Sequence, residues 1–493
     1  MKLTEEKIRL RYSGFIMFLF RLISVGTGLL FTLMVTRSIQ PEEYGIYNNL
    51  GDVLSYFTLA SAIIPFWVTR FVARQQRGSC KTGVATNTLV GVASTIVYLL
   101  AISSIMSSFQ IDWKYLPIYL AAAFIIIEHH ILAVFEATLH AKRPETLGFG
   151  LFALEISKVL LGFLIVINMK AGLMGVLIVL ILAFSTQALF YLKYLLHEFR
   201  EKIVWAYAKE WFKASLLNVY GIVGGRILAL ANLILFIYGG ELSRAYYGVS
   251  SVIASIIGYS SSLAFALYPK LLSGAELKDV TLSIKMVLMF AVPMTLGAII
   301  LSEELLLILN PLYSFARAIL IILSLCNLFS VLSSLFESII SGTEKLDAEA
   351  KISYSMAIRS KLFLLLTLNY IQAAIVVPST YILLKSLSPD ALSSALYLAV
   401  VNAVANILTT LAKYAIARRC MEFSIPWMKI GEYLGASLIM ALVVYVFQAP
   451  ARLSITVFRI LTGALVYFLV LSAIDKETRG IINLVKREAA KIF

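Results

Sequence analysis

Long apolar runs recur along the whole chain, and they constrain its fold more than any other feature. Sixty per cent of the 493 residues are hydrophobic. The runs have lengths near the roughly 20 residues that a helix needs to cross the hydrocarbon core of a bilayer. Strands of a membrane barrel would instead alternate in polarity over about ten residues. The pattern therefore predicts an all-α, polytopic membrane protein.

The apolar runs predict fourteen transmembrane helices, numbered here in chain order. Because that number is even, both termini are expected on the same side of the membrane. The approximate ranges of the predicted helices are 13–36, 47–69, 83–106, 115–138, 147–168, 171–195, 214–238, 245–268, 282–302, 316–340, 356–384, 390–416, 427–448 and 453–474.

Lysine and arginine are distributed unevenly between the predicted loops. With the N-terminus inside, the inner segments contain most of the 42 basic residues, whereas each outer loop has one or two, Arg244 among them. Cytoplasmic loops are typically rich in these residues, so both termini are predicted to be cytoplasmic. The net charge of +14 then reflects topology and attraction to the anionic inner leaflet. The expected partners include membrane lipids and no nucleic acid.

Landmarks of the first half of the chain recur in the second half, in the same order and at a nearly constant offset. Arg21 matches Arg226, and the outer turn "EYGIY" matches "YYGVS". Such repeats are common in transporters. They predict two parallel six-helix lobes, at 1–210 and 211–422, around a central cleft. The segment 423–493 is predicted to add two transmembrane helices and a basic cytoplasmic tail.

Two stretches carry a family resemblance. The stretch "GTGLLFTLMVTRSIQPEEYGIYNNL" resembles the opening of the polysaccharide-exporter branch of the multidrug/oligosaccharidyl-lipid/polysaccharide superfamily. The stretch "EELLLILNPLYSFARAILIILSLCNLFSVLSSLFESIISGTEK" resembles the helix 9 to 10 region of the same family. The likeness extends over about residues 10–420. It departs at Asn310 and Pro311, where family members often have a glycine before the tyrosine. The resemblance implies a flippase for lipid-linked sugars that works by alternating access.

Two arginines lie inside predicted spans, at equivalent positions of the two halves. An arginine at the centre of a transmembrane helix costs roughly 2.5 to 3.5 kcal/mol on insertion scales. At the rise of an α-helix, Arg21 lies about 12 Å and Arg226 about 18 Å into its span. Guanidinium groups bind phosphate by bidentate, charge-assisted hydrogen bonds, so both are predicted to bind the substrate. Alternatively, Arg21 snorkels to the inner interface and Arg226 pairs with a neighbouring acid.

Helix 4 has the densest polar set of any predicted span. Positions 129, 136 and 140 lie on one helical stripe. Histidine beside a carboxylate is typical of proton relays, and ionisable groups inside membranes often serve coupling. Alternatively, these residues pair with Lys158 or Arg21 and hold the bundle together. The set consists of Glu128, His129, His130, Glu136 and His140.

Further polar residues are weaker candidates. Glu155 and Lys158, three residues apart on helix 5, are predicted to form an internal ion pair and are also candidates for the polar lining of the cleft. Glu337, near the inner end of helix 10, is a candidate for the same lining or a solvated residue. Asp52, at the outer end of helix 2, is predicted to be solvated or to cap a helix.

Catalytic chemistry has little support in this sequence. The outer loops are short and have no clustered carboxylates, and no phosphate-binding "GxxxxGK[ST]" loop is present. No compact set of metal ligands occurs. We therefore predict no enzyme activity, cofactor or metal site, while a membrane transferase or a structural scaffold remains the alternative from another class.

The leading prediction is a flippase that translocates a phosphate- or pyrophosphate-linked oligosaccharide lipid across the cell membrane, for surface polysaccharide or glycoprotein assembly. The alternative is a proton- or sodium-coupled exporter of small organic cations from the same superfamily. A flippase of this kind needs basic residues in its cleft, as Arg21 and Arg226 suggest. A cation exporter needs acidic ones, as Glu128 and Glu136 suggest. Because both lobes lie on one chain, a monomer is expected to suffice.

Overall fold

The computed structural model describes residues 23–264, 267, 271, 277–343, 360–387, 389–447, 450–475 and 479. Arg21 lies outside these residues. The described chain is mostly helical and contains no β-strand. Its helices are α1 (Ile23–Ser38), α2 (Pro41–Phe57), α3 (Ile63–Ala73), α4 (Ser79–Ser108), α5 (Leu116–Ala121), α6 (Ala123–Lys142), α7 (Glu145–Leu161), α8 (Gly172–Leu195), α9 (Trp205–Ala214), α10 (Leu216–Ser255), α11 (Leu277–Ile300), α12 (Ser302–Leu309), α13 (Arg317–Gly342), α14 (Lys361–Leu387), α15 (Ala391–Cys420), α16 (Trp427–Val446) and α17 (Leu453–Ile474).

Most of these helices have the length and composition of membrane spans. In the described part of the chain, eleven are long and apolar enough to cross a bilayer, or twelve if the bent pair α2 and α3 forms one span. The stretch Asn218–Ala264 overlaps two of the predicted spans, 214–238 and 245–268. The helix α1 is shorter, because the predicted span 13–36 begins before the described residues. The prediction of an all-α, polytopic membrane fold is confirmed.

The second predicted span, 47–69, is bent. Between α2 and α3 the chain passes through a short 3-10 turn, and the two helices meet at 55°. Pro65 has no N–H to donate to the carbonyl of Ser61, one helical turn earlier. The side chain of Asn87, on α4, donates to that carbonyl instead, at 3.3 Å. The bend is therefore compatible with a membrane interior, where each backbone polar group needs a partner.

A second interruption lies within α10, at Gly240. The backbone there has φ 79° and ψ −179°, which is not helical and which glycine adopts without a Cβ clash. Gly45 of α2 packs directly against the peptide group of Glu241, the residue that follows this break. A Cβ atom on Gly45 would lie 2.0 Å from the carbonyl oxygen of Glu241. The glycine of the "EYGIY" turn is thus required by a close approach of two backbones.

The described chain divides into two compact units. The first contains residues up to Ala245 together with Asn369–Ala395, and the second contains Tyr246–Leu368 together with the chain from Leu396 onwards. The predicted lobe boundaries, after residues 210 and 422, derive from sequence repeats and stay predictions.

Each unit has its own buried apolar residues. In the first, α6 packs against α3, α4 and α8, so the polar residues of α6 are held among three neighbouring helices. In the second, α11, α13, α16 and α17 contribute to one large cluster. The clusters of the first unit include Ile64, Val68, Val134 and Trp211, and separately Leu132, Phe135 and Tyr191.

Candidate functional site

A cavity of about 840 Å³ lies within the first unit. Its walls come from α2, the turn that follows α2, α6, α8 and α10. The volume falls in the range of small-ligand sites, roughly 300 to 1,000 Å³. Charged residues inside a membrane protein commonly mark functional sites, and three line this cavity. Its polar lining includes Asn48, Asp52, Ser55, Thr58, Ser61, His129, Arg226 and Arg244.

Arg226 lies on the cavity wall with its side chain half-buried. No residue in the described part of the chain forms an ion pair or hydrogen bond with its guanidinium, so the predicted alternative of a neighbouring acid has no counterpart there. The backbone of α10 is fixed nearby by two tyrosines. Tyr56 donates to the carbonyl of Arg226 at 3.0 Å, and Tyr370 donates to the carbonyl of Tyr220 at 2.7 Å. The helix is therefore held while the guanidinium stays available.

Asp52 and Arg244 form a bidentate ion pair at the same cavity. Nε of Arg244 lies 2.6 Å from Oδ2 of Asp52, and Nη2 lies 3.1 Å from Oδ1. Asn232 donates to Oδ1 at 3.4 Å. The side chains are only 8% exposed for Arg244 and 14% exposed for Asp52.

This ion pair corrects one sequence prediction. The prediction that Asp52 is solvated or caps a helix is wrong, because its carboxylate is buried in this pair. Arg244, counted from the sequence among the basic residues of the outer loops, lies on the helical segment that follows the kink at Gly240. Its guanidinium there contacts Asp52 of α2.

The charges of the cavity lining do not cancel. Among the described lining residues, two guanidinium groups, of Arg226 and Arg244, face one carboxylate, of Asp52, which leaves an excess of one positive charge when His129 is neutral. A positive excess in a cleft with walls of low dielectric constant attracts anions more strongly than the same charge on an open surface. The arrangement favours a ligand that carries phosphate or carboxylate groups.

The predicted ion pair between Glu155 and Lys158 is confirmed, at 2.6 Å. The other carboxylate oxygen of Glu155 accepts a hydrogen bond from Thr27 of α1 at 2.8 Å. The ammonium of Lys158 lies 5.8 Å from the ring centroid of Phe31. Neither charged residue is part of the cavity lining. This group, here called the α7 cluster, ties α7 to α1 with both oxygens of its carboxylate occupied.

The acids of α6 contact α8. Ser185 donates to Glu128 at 2.6 Å, and Gln187 donates to Glu136 at 3.4 Å. Neither acid pairs with Lys158, which is bound to Glu155. Neither acid belongs to the cavity lining.

The histidines of α6 have separate surroundings. His129 lines the cavity, with its ring centroid 5.1 Å from that of Phe184. His130 is fully buried, and its Nδ1 lies 2.8 Å from the carbonyl oxygen of Ile126. Within the described ranges no histidine forms a hydrogen bond with a carboxylate. The predicted proton relay therefore has no direct contact in this structure.

Glu337 belongs to the second unit and pairs with Lys413 of α15 at 3.2 Å. Lys413 also donates to Ser333 at 3.0 Å. The side chain of Glu337 is 54% exposed, so it is both paired and partly solvated. Across the described residues, no three His, Cys, Asp or Glu side chains are grouped to hold a metal ion.

Solved structures share the architecture of this chain, although no protein-family model and no curated protein sequence matches it. The lipid II flippase MurJ in an inward closed conformation aligns with 94% of this chain and 99% of its own, with a TM-score of 0.66 and 17% identity. An inward-facing multidrug resistance MATE family transporter aligns with 81% of this chain and 96% of its own, with a TM-score of 0.59 and 13% identity.

The second of these proteins is described as a transporter of the MOP superfamily, the initials of the multidrug/oligosaccharidyl-lipid/polysaccharide superfamily in the resemblance above. This chain adopts the MOP fold. A MOP superfamily transporter from Pyrococcus furiosus is also similar, with a TM-score of 0.52 and 13% identity over 83% of this chain and 95% of its own. Its description states that a reversed polarity of the binding pocket suggests a different function. Within the MOP fold, the charge of the cavity is thus a better guide to the ligand than the fold is.

Proposed function

We propose that this MOP-fold protein is a flippase that translocates an oligosaccharide lipid, linked through phosphate or pyrophosphate, across the cell membrane for surface polysaccharide or glycoprotein assembly. The observation that carries the proposal is the guanidinium of Arg226, which has no ion pair or hydrogen bond within the described residues, in a cavity with excess positive charge. Arginine is suited to phosphate by its planar, bidentate donor geometry. The likeness to a lipid II flippase supports the same class of substrate.

We propose that different residues of the cavity lining bind the phosphate and the sugar of the substrate. Arg226 holds the phosphate, and hydroxyl and amide groups such as those of Ser55 and Asn48 hydrogen-bond the sugar. The lipid chain stays among the apolar helix faces in the bilayer. Arg21, the repeat partner of Arg226, is proposed as a second phosphate ligand. Transport then follows by alternating access of the two predicted lobes.

The coupling residues stay a proposal as well. Glu128, His129 and Glu136 are the candidates for proton or cation coupling, because they lie on the helix that lines the cavity without being neutralised by a basic residue there. Glu155, Lys158 and Glu337 are committed to ion pairs. We assign the first two to the support of α7 and Glu337 to the polar lining of the second unit.

A cation exporter is the second candidate, favoured by the likeness to a MATE transporter and by the carboxylate of Asp52 in the cavity. That carboxylate is already bound by Arg244 on both oxygens. An organic cation would find it neutralised, and it would meet Arg226 in the same space. The charge balance therefore favours the flippase.

The remaining parts of the proposal concern the cellular context. We propose a multi-pass protein of the cell membrane with both termini in the cytoplasm, active as a monomer and without enzymatic activity. Its partners are the lipid-linked sugar and the surrounding membrane lipids.

Reconstitution tests the proposal. Transbilayer movement of a fluorescent pyrophosphate-linked oligosaccharide lipid is measured in proteoliposomes with the unaltered protein, Arg226→Gln and Arg317→Gln. Arg317 is an exposed arginine paired with Glu303, so it is the matched control. We expect movement with the unaltered protein and the control, and its loss with Arg226→Gln. If the unaltered protein moves no such lipid but transports organic cations along a proton gradient, the exporter replaces the flippase.

A further inference from the structure

We propose that Asp52 is an internal competitor for the phosphate of the substrate, and that Arg244 exchanges Asp52 for that phosphate when the substrate binds. The inference rests on the proposed function of the cavity. It gives the ion pair a role in selecting anionic substrates, beyond the role of Arg226 in binding them.

Arg244 binds the carboxylate of Asp52 in the same bidentate geometry in which a guanidinium binds phosphate. Two nitrogen atoms of Arg244 contact the two oxygen atoms of Asp52, at 2.6 and 3.1 Å. A phosphate group offers two oxygens to a guanidinium in the same bidentate manner. Both residues line the cavity that holds Arg226, so an anion in this space meets Arg244 without passing through packed side chains.

A second guanidinium lets both phosphates be bound directly. A pyrophosphate diester carries about two negative charges near neutral pH, as each phosphate keeps one ionised oxygen, and a buried anion needs hydrogen-bond donors. Arg226 contacts one phosphate. The other guanidinium of the described cavity lining is that of Arg244, and the two nitrogens that bind Asp52 contact the second phosphate after the exchange.

The ion pair disfavours neutral molecules. Separation of a buried ion pair by an uncharged ligand would leave a carboxylate and a guanidinium without compensation, which is strongly unfavourable. An anion pairs with Arg244 in place of Asp52, so only the carboxylate loses its ionic partner, and it keeps the hydrogen bond from Asn232. The exchange therefore costs less with an anion than with a neutral ligand.

The position of Arg244 links this exchange to the backbone. Arg244 lies one helical turn after the break at Gly240, and its contact with Asp52 joins that segment to α2. Release of the contact leaves the backbone approach of Gly45 to Glu241 as a remaining link between α2 and the break. Substrate binding is thereby coupled to the freedom of this segment.

A binding cycle tests the exchange. Geranyl diphosphate, a soluble lipid diphosphate, is titrated calorimetrically into the full chain in nanodiscs of zwitterionic lipid. We expect Asp52→Asn to bind the probe about tenfold more tightly or better, since the competitor is removed. Arg244→Gln binds it more weakly, and addition of Asp52→Asn to Arg244→Gln gives no gain. Asp112→Asn, which removes the same charge from an exposed position of the first unit, leaves the affinity unchanged.

The outcomes separate this inference from the proposed function. If the unaltered protein does not bind the probe and Arg226→Gln changes nothing, the proposed function fails. If the probe binds and Arg226→Gln weakens it, but Asp52→Asn gives no gain, the exchange alone is overturned. A gain that persists in the Arg244→Gln background also overturns it, because general electrostatics would then explain the effect. Should Asp52→Asn fail to fold, Asp52→Ser provides the same reading after a thermal-melt check.

Discussion

Two groups of charged residues in the first unit both contain a buried ion pair, but they differ in net charge. In the α7 cluster, Glu155 is bound on one oxygen by Lys158 and on the other by Thr27. At the cavity, Asp52 is bound on both oxygens by Arg244, yet Arg226 stands beside this pair without an ionic partner in the described chain. One group is balanced, and the other has a positive charge in excess.

The difference shows how to interpret a charge inside a membrane span. A balanced pair, such as that of Glu155 and Lys158, supports packing, and removal of one partner leaves an isolated charge in the interior. An unbalanced charge such as Arg226 has already been accommodated by a polar cavity, and it attracts a ligand of opposite sign. The functional candidate is therefore the residue whose charge the protein itself does not neutralise.

The largest expected effect is in the α7 cluster. Glu155→Ala leaves the ammonium of Lys158, with a side chain 16% exposed, without its partner. We expect a loss of about 3 to 5 kcal/mol in the free energy of unfolding, measured by denaturant or thermal unfolding in detergent. The double replacement of Glu155 and Lys158 by methionine is the control, and it should recover most of the loss. If the unfolding curve of Glu155→Ala matches that of the unaltered protein, the ion pair of the α7 cluster does not stabilise the fold.

The next effect separates stability from binding at the cavity. Arg226→Gln strands no partner, so its unfolding free energy should stay within about 0.5 kcal/mol of the unaltered protein. Its affinity for a phosphate-linked lipid should fall about 10- to 100-fold, as loss of a charged hydrogen bond worth about 1.5 to 3 kcal/mol implies. Unfolding and lipid binding are measured on the same preparation. If Arg226→Gln is clearly less stable than the unaltered protein but binds the lipid equally well, Arg226 supports the fold and does not bind the ligand.

The smallest effect concerns Glu337, whose side chain is 54% exposed. Water screens its pair with Lys413, and Lys413 keeps its hydrogen bond to Ser333. We expect Glu337→Gln to change the unfolding free energy by about 1 kcal/mol or less, in the same assay as the Glu155 variants. A loss as large as that of Glu155→Ala would show that burial does not set the strength of these pairs.

The sequence predicted the features that depend on local composition. Apolar runs located the membrane helices, because a span must bury about 20 successive residues in lipid. The i, i+3 spacing predicted the pair of Glu155 and Lys158, because helical neighbours face each other. Arg226 was found because an arginine is conspicuous within an apolar helix.

The sequence missed the contacts that depend on the path of the backbone. Asp52 and Arg244 are 192 residues apart, and nothing in the local sequence of either residue shows that the chain after the kink at Gly240 brings Arg244 against α2. The glycines in "YGG" at 238–240 were the available signal for that kink. The predicted relay on helix 4 shows no contact between histidine and carboxylate in the described chain for a related reason, since a residue on a helical stripe can bond to a neighbouring helix, as Glu136 does to Gln187.

The central claim is that Arg226 recognises the phosphate of the substrate, and one comparison tests it most directly. Transbilayer rates are measured in proteoliposomes for two fluorescent lipids with the same oligosaccharide, one joined through pyrophosphate and the other through an uncharged linker. We predict that the unaltered protein strongly prefers the pyrophosphate lipid and that Arg226→Gln, while folded, loses this preference. An undiminished preference in Arg226→Gln would contradict the account, because the phosphate would then be recognised elsewhere.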